Sequence, residues 1–320
     1  MQRSRLAGCG SEKYKTLLYL YYEVKPFLPK RFRYGMRTLL ARAQRKNCSN
    51  WPVNLHSSKP PEGWKGWPEH KDFCLVLTHD IESQLGVERC HHLVDLESQL
   101  GFRSSLNFIP EGEYKPPLSL YPELEERSFE VGVHDLKHDG KLFRSRKAFE
   151  AAAPRINQYL ADWKAVGFRA GFMFHQLDWI NDLNIEYDAS TFDTDPFEPQ
   201  SDGIGTIFPF WVSRAATGKG YVELPYTLAQ DSTLFIILRE RSNALWKQKL
   251  DWIVQHKGMA LLNLHPDNVN FTGQKTDRSE FDSWHYEDFL LYIREKYSGR
   301  YWHALPREVA RFYKDKYVAR

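Results

Sequence analysis

Phe73-Cys74-Leu75-Val76-Leu77-Thr78-His79-Asp80-Ile81-Glu82 is the stretch on which the fold turns. Its first half is a continuous apolar run, suited to a strand buried on both faces, and its second half is polar and titratable. A helical stripe follows, Val87, Cys90, Val94 and Leu100, with Gly101 where a C-terminal cap belongs, and then an apolar run from Ser105 to Ile109. The unit reads as β-α-β.

Outward from it the alternation continues. Phe129 to Val133 reads as a strand, and Phe149, Ala152, Ile156, Leu160 and Trp163 as a helix closed by Gly167, with Phe168-Arg169 opening the next strand. Tyr221 to Leu224 and Met259 to Leu264 read as strands flanking a helix with Leu245, Leu250 and Ile253 that Gly258 closes. Phe289, Leu290 and Ile293 mark another helix, and Pro306 opens a last one. Such alternation implies an α/β fold with a mainly parallel sheet, closed as a barrel or open and doubly wound; periodicity does not choose between them.

The 320 residues are 42% hydrophobic and 27% charged, the balance of a globular chain, which excludes disorder, collagen and coiled coil. The longest N-terminal apolar stretch, Leu17 to Tyr22, is too short for a spanning helix or a signal core, so a cytoplasmic location is expected. Cysteines 9, 48, 74 and 90 form no C-x-x-C pair; neither a disulfide scaffold nor a zinc knuckle is expected, and the thiols are read as reduced. Residues 1–50 hold twelve Lys/Arg against Glu12 and Glu23, while the remainder is net acidic. The aromatic-studded arm Tyr14 to Tyr22, followed by Lys30-Arg31-Phe32-Arg33, reads either as a solvated helix packed on the main domain or as a peripheral contact with an anionic membrane. No nucleic-acid module accompanies it. The Pro- and Gly-rich stretch from Asn47 to Lys71 reads as a linker or a wrapping loop, which divides the chain into an extension, 1–69, and a main domain, 70–320.

Titratable residues gather where the strands end, which is where α/β folds place their sites. They are Thr78-His79-Asp80-Ile81-Glu82, His134-Asp135-Leu136-Lys137-His138, Arg169, and His265-Pro266-Asp267. His134 and His138 are four apart, so a helical turn after Val133 would direct both imidazoles at one ion, and a carboxylate from another strand would complete a facial triad. Taken singly, a strand-end arginine is an ordinary surface pair, an aspartate in Asp188-Ala189-Ser190-Thr191 an ordinary turn residue, and His265 before Pro266 a loop closure. It is their joint order that points to chemistry.

That order, with Gly132-Val133 before His134, Gly167-Phe168-Arg169-Ala170-Gly171-Phe172, Tyr187-Asp188-Ala189-Ser190 and Leu262-Asn263-Leu264-His265, resembles the motifs of the polysaccharide deacetylase family, the NodB-homology carbohydrate esterases, from about Phe73 to Asp267. The resemblance implies a distorted parallel (β/α) barrel of about seven strands. It implies a metal-dependent hydrolase that removes an N-acetyl or related acyl group from an amino sugar in a glycan or glycolipid. By the same resemblance Asp80 is the base, His134 and His138 are the metal histidines, Arg169 orients the base, His265 is the acid and Asp188 tunes it, with Asp193 and Asp231 as substitutes. The metal is a divalent ion, Zn first, with Co, Ni or Mn as alternatives.

Two positions depart from the family pattern. Ile81 stands where a second, metal-binding aspartate follows the base, so the carboxylate ligand is expected at Glu82, with Asp80 as the rival. Gly171 stands where a proline is usual. Aromatics make up 15% of the chain, and Trp179, shortly after Arg169, is the one expected near substrate, together with Asp231. His79, His91, His92 and His175 are read as non-ligands. A cyclic-amide hydrolase on the same fold, or a barrel that binds glycan without turning it over, are the alternative readings.

Overall fold

Nine consecutive buried residues, Phe73–Ile81, form β1, the central stave of the sheet. The computed structural model describes residues 30–48, 50–200, 202–214, 218–274 and 278–318. The other strands are β2 (Ser105–Phe108), β3 (Glu130–His134), β4 (Gly167–Arg169), β5 (Tyr187–Asp188), β6 (Phe210–Ser213), β7 (Gly220–Glu223), β8 (Met259–Leu264), β9 (Val269–Asn270), β10 (Phe281–Asp282) and β11 (Tyr301–His303). The helices are α1 (Lys30–Asn47), α2 (Gln84–Leu100), α3 (Leu120–Glu126), α4 (Arg146–Asp162), α5 (Leu177–Ile180), α6 (Ala244–Gln255), α7 (Trp284–Lys296) and α8 (Pro306–Tyr313), and a π-helical segment spans Ser232–Leu238.

β1 pairs in parallel with β8 along Cys74 to His79, with β2 along Thr78 to Ile81, and with β11 at its start. From β2 the parallel order runs β3, β4, β5, β7, and β6 is added antiparallel to β7. Beyond β7 the chain crosses to the far edge. Leu224 N donates to Asp188 O at 2.9 Å and Tyr226 N to Thr191 O at 2.9 Å, and then Thr227 N and Leu228 N both donate to Leu261 O of β8. The sheet thereby curls back on itself as a distorted α/β barrel whose staves are β1, β2, β3, β4, β5, β7 and β8.

Side chains alternate along a strand, and β1 uses this. Thr78 and Asp80 meet Arg169, Asn107 and Asn263 from neighbouring staves. His79 between them faces the helical layer, where its Nε2 lies 2.7 Å from Glu97 of α2, which also accepts from Tyr286 of α7 and Ser104.

Gly101 adopts φ +81° and its N–H returns to Glu97 and Ser98, the left-handed cap expected of it. Gly167 does something else. α4 ends at Asp162, with left-handed Lys164 turning the chain, and Gly167 lies in β4 opposite Tyr187, where a Cβ would collide with the Tyr187 ring. Cys74 and Cys90 are buried free thiols, whereas Cys48 is disulfide-bonded, which corrects the expectation of reduced thiols at that position.

The stretch read as a linker or a wrapping loop is packed onto the barrel. Trp51 meets Phe197 edge-on at 5.0 Å, Trp67 Nε1 donates to Lys257 O at 2.8 Å, and Trp64 stacks on Tyr317. α1 lies against the π-helical segment, with Arg37, Ala41 and Gln44 buried. The membrane contact expected of Tyr14 to Tyr22 falls outside the described residues. Among those described, no helix is long and apolar enough to cross a membrane.

Candidate active site and metal centre

The carboxyl ends of β1, β3, β4 and β8 bring Asp80, Glu82, His134, Arg169 and His265 together. Glu82, His134 and His138 present ligand atoms that all lie within 4.8 Å of one another. Glu82 Oε1 is 3.1 Å from His138 Nε2, 3.9 Å from His134 Nε2 and 3.8 Å from His265 Nε2. The turn after Val133 is irregular rather than helical: Asp135 and His138 take left-handed backbone angles, φ +57° and +54°, and that turn replaces the expected helical spacing.

His134 Nδ1 faces Arg169 O at 3.1 Å, so the ring carries its proton there and leaves Nε2 as a free lone pair. Nε2 of His134 and of His138 is buried without a hydrogen-bond partner. Two orphaned imidazole nitrogens facing one carboxylate are a donor set that suits a divalent cation such as zinc. Asp267 holds Glu82 in place, accepting from Glu82 N at 3.1 Å and from the Ser83 hydroxyl. Gly86 leaves the space that the Asp267 carboxylate fills.

Asp80 is 2% exposed and its two oxygens accept separately, Oδ1 from Asn107 Nδ2 at 2.9 Å and Oδ2 from Asn263 Nδ2 at 2.8 Å. Arg169 Nε lies 3.6 Å from Oδ1, and its Nη2 donates to Thr78 Oγ1 at 2.9 Å. Burial alone would raise this carboxyl, but Arg169, then His134, His265 and the Asn107 hydrogen bond outweigh it and hold the pKa at about 2. The carboxyl is therefore ionised at neutral pH. With both oxygens engaged by amides, Asp80 is less available as a metal ligand than Glu82.

Asp231, rather than Asp188, meets His265: Nδ1 is 2.7 Å from Asp231 Oδ1, which also accepts the His265 N–H, and Asn268 donates to Oδ2. Burial would lower the imidazole, but Asp231 foremost, then Glu82 and Asp80, lift it to about 10. Asp188 sits on β5, two staves from β8, fully buried, bonded to the Ser190 hydroxyl at 2.6 Å and beside Glu223. Its place at the end of β5 turns its carboxylate toward Ser190 and Glu223. Asp193 is paired with Lys249 at 2.6 Å. Trp179 packs against Phe149 and Phe143, centroids 6.2 and 6.3 Å apart, in the cluster under α4, so its described contacts are core contacts. His91 and His92 lie exposed on α2, and His175 points at Met173 O.

Asn107, Asn263 and Gln230 were not singled out by sequence reasoning. Asn263 donates to both Asp80 and Gln230 Oε1, and Gln230 Nε2 donates to Glu198 at 2.7 Å. The legible signal was an asparagine inside each of two buried strands, Ser105–Phe108 and Met259–Leu264, since a buried amide needs partners.

No protein-family model and no curated protein matches the chain. Solved structures do. A Mycobacterium smegmatis protein named as a candidate polysaccharide deacetylase aligns over 81% of this chain and 96% of its own, with TM-score 0.61 and 15% identity. A CE4 family pseudoenzyme from Bacillus anthracis aligns over 74% of this chain and 65% of its own (TM-score 0.46, 13% identity). A family 4 carbohydrate esterase from Streptomyces lividans in complex with acetate aligns over 71% and 90% (TM-score 0.41, 10% identity). With its curled parallel sheet and its site at the strand ends, the chain has the polysaccharide deacetylase, NodB-homology fold.

Proposed function

We propose that the protein is a metal-dependent hydrolase that removes an N-acetyl or related acyl group from an amino sugar of a glycan or glycolipid. The observation that carries this reading is the placement of the Glu82, His134 and His138 cluster between an ionised Asp80 and a protonated His265. Glu82 Oε1 and the two histidine Nε2 atoms would hold the cation, Zn first. A divalent cation there supplies Lewis acidity toward the acyl oxygen and acidifies water.

Asp80, fixed by Asn107, Asn263 and Arg169, takes a proton from the attacking water. His265, charged by Asp231, gives its Nε2 proton to the departing nitrogen, so that amine and carboxylate leave with protons balanced. Arg169 keeps Asp80 ionised, and Asp231 fixes the His265 tautomer by accepting at Nδ1. No described contact puts Asp188 or Trp179 in this chemistry.

The test pairs metal analysis with acetate release from N-acetylated chito-oligosaccharides and sugar-lipids. Stoichiometric zinc and turnover are expected in the full chain, and both should vanish in His134→Ala. Full activity after exhaustive chelation would end the proposal.

A further inference from the structure

Four residues, Arg169 to Phe172, present in turn a carbonyl, an N–H and a ring to the histidine-bearing turn. Arg169 O takes His134 Nδ1 and the Asp135 N–H, and Gly171 N donates to Asp135 Oδ2 at 3.2 Å. The Phe172 ring stacks on His138, centroids 4.4 Å apart and planes 24° apart. The two histidines are thus held differently. His134 is oriented by a hydrogen bond, the usual device for a ligating imidazole. Apart from the approach of its Nε2 to Glu82, the His138 ring makes no hydrogen bond among the described residues. Its plane is defined instead by the aromatic face behind it.

The backbone is distorted to bring that face there. Phe172 and Met173 take φ +56° and +55°, the left-handed region that residues with a Cβ rarely enter, and His138 does the same at +54°. Such angles persist only where surrounding contacts over-determine them, and they gather at functional sites. The two turns also interlock closely. A Cβ on Gly171 would collide with Asp135 Oδ2 and crowd His138 Cδ2, and one on Gly140 would touch the Phe172 ring at 3.6 Å.

Resting on the metal reading above, we infer that Phe172 is a positioning residue for the cation site, the stacked plate that fixes the His138 imidazole in its ligating orientation. It acts through His138. Offset aromatic stacking of this kind is worth about 3- to 10-fold in an equilibrium constant.

The test is Co²⁺ and Zn²⁺ titration of the full chain, read from the Co²⁺ absorption spectrum and from competition with a chelating dye, so no substrate is needed. Phe172→Gly removes the ring and, because glycine accepts left-handed angles freely, relieves rather than adds backbone strain. Phe172→Leu keeps apolar bulk without a stacking face, and Phe172→Tyr keeps the face. The Gly and Leu variants should bind Co²⁺ about 3- to 10-fold more weakly with an altered spectrum, and Tyr should match the parent. Equal affinity in parent, Gly and Leu variants, with His138→Ala abolishing binding, would overturn the role of Phe172 alone. A parent chain that takes up neither ion would overturn the metal centre itself.

Discussion

At the scale of single residues, two glycines beside the site are accounted for by their neighbours. Gly171 replaces a usual proline, and its N–H is spent on Asp135, a bond proline could not make. Gly132 faces Asn107 across β2 and β3, and any Cβ there would strike the Asn107 amide that donates to Asp80. Asp231 is the residue whose replacement separates the two halves of the chemistry. Its carboxylate is the main group raising His265, so Asp231→Asn should lower the His265 pKa. The alkaline limb of a kcat–pH profile should then move to lower pH, while the acid limb, set by Asp80, stays in place. Turnover should fall by up to about 100-fold, part of what general acid catalysis contributes. An alkaline limb unmoved by this substitution would show that His265 is not the proton donor.

At the scale of elements, the long strands were legible because β1 and β8 are buried on both faces and so open on unbroken apolar runs, Phe73 to Leu77 and Met259 to Leu262. The helix α4 was legible from its stripe, though its end was not: Lys164 in a left-handed turn, not Gly167, closes it. The strand ends announced Asp80, His134, Arg169 and His265. What stayed hidden was side-chain direction. Asp188 and Asp231 are both aspartates in the region of the predicted strand ends, and only the crossing of the chain from β7 to β8 decides which one reaches His265. Likewise the stretch after Asn47 lacks periodicity because it follows the barrel surface rather than forming an element of its own. Lys249 of α6 anchors it, donating to Pro52 O at 2.7 Å and to Asp193 at 2.6 Å, with both charged groups about 1% exposed. Lys249→Met keeps the stem and leaves Asp193 buried without its partner. The variant should unfold about 3–5 kcal/mol more readily in urea. A loss below 1 kcal/mol would mean that the pair does not tie this segment to the barrel.

Across the whole molecule, buried carboxyls fall into two groups with opposite consequences for stability. Burial raises Glu130 to about 7, Asp193 to about 6 and Asp195 to about 8, and raises Glu223 well above its usual range through burial and the adjacent Asp188. Each of these binds its proton more tightly folded than unfolded, so its contribution is complete below the unfolded value near 4 and is lost as pH rises toward the folded one. Asp80 and Glu97 run the other way: charge partners overcome burial, and their contribution is present above about 4 and lost in acid. His303, lowered by burial to about 4, also loses its contribution as pH falls below about 6.5. His265, raised to about 10, adds to the loss on the alkaline side, from about 6.5 upward. The metal-free chain should therefore be most resistant to urea in mildly acidic solution, with a midpoint that declines from pH 5 to pH 8. Glu223 isolates the cause, since its Oε1 accepts from Thr191 N and Oγ1 and the Asp188 carboxyl lies beside it. Glu223→Gln reproduces the protonated form, accepting from Thr191 and donating to Asp188, and should flatten the decline while leaving the pH 5 midpoint nearly unchanged. A variant whose midpoint fell with pH as steeply as the parent's would place the source of the decline outside this pair.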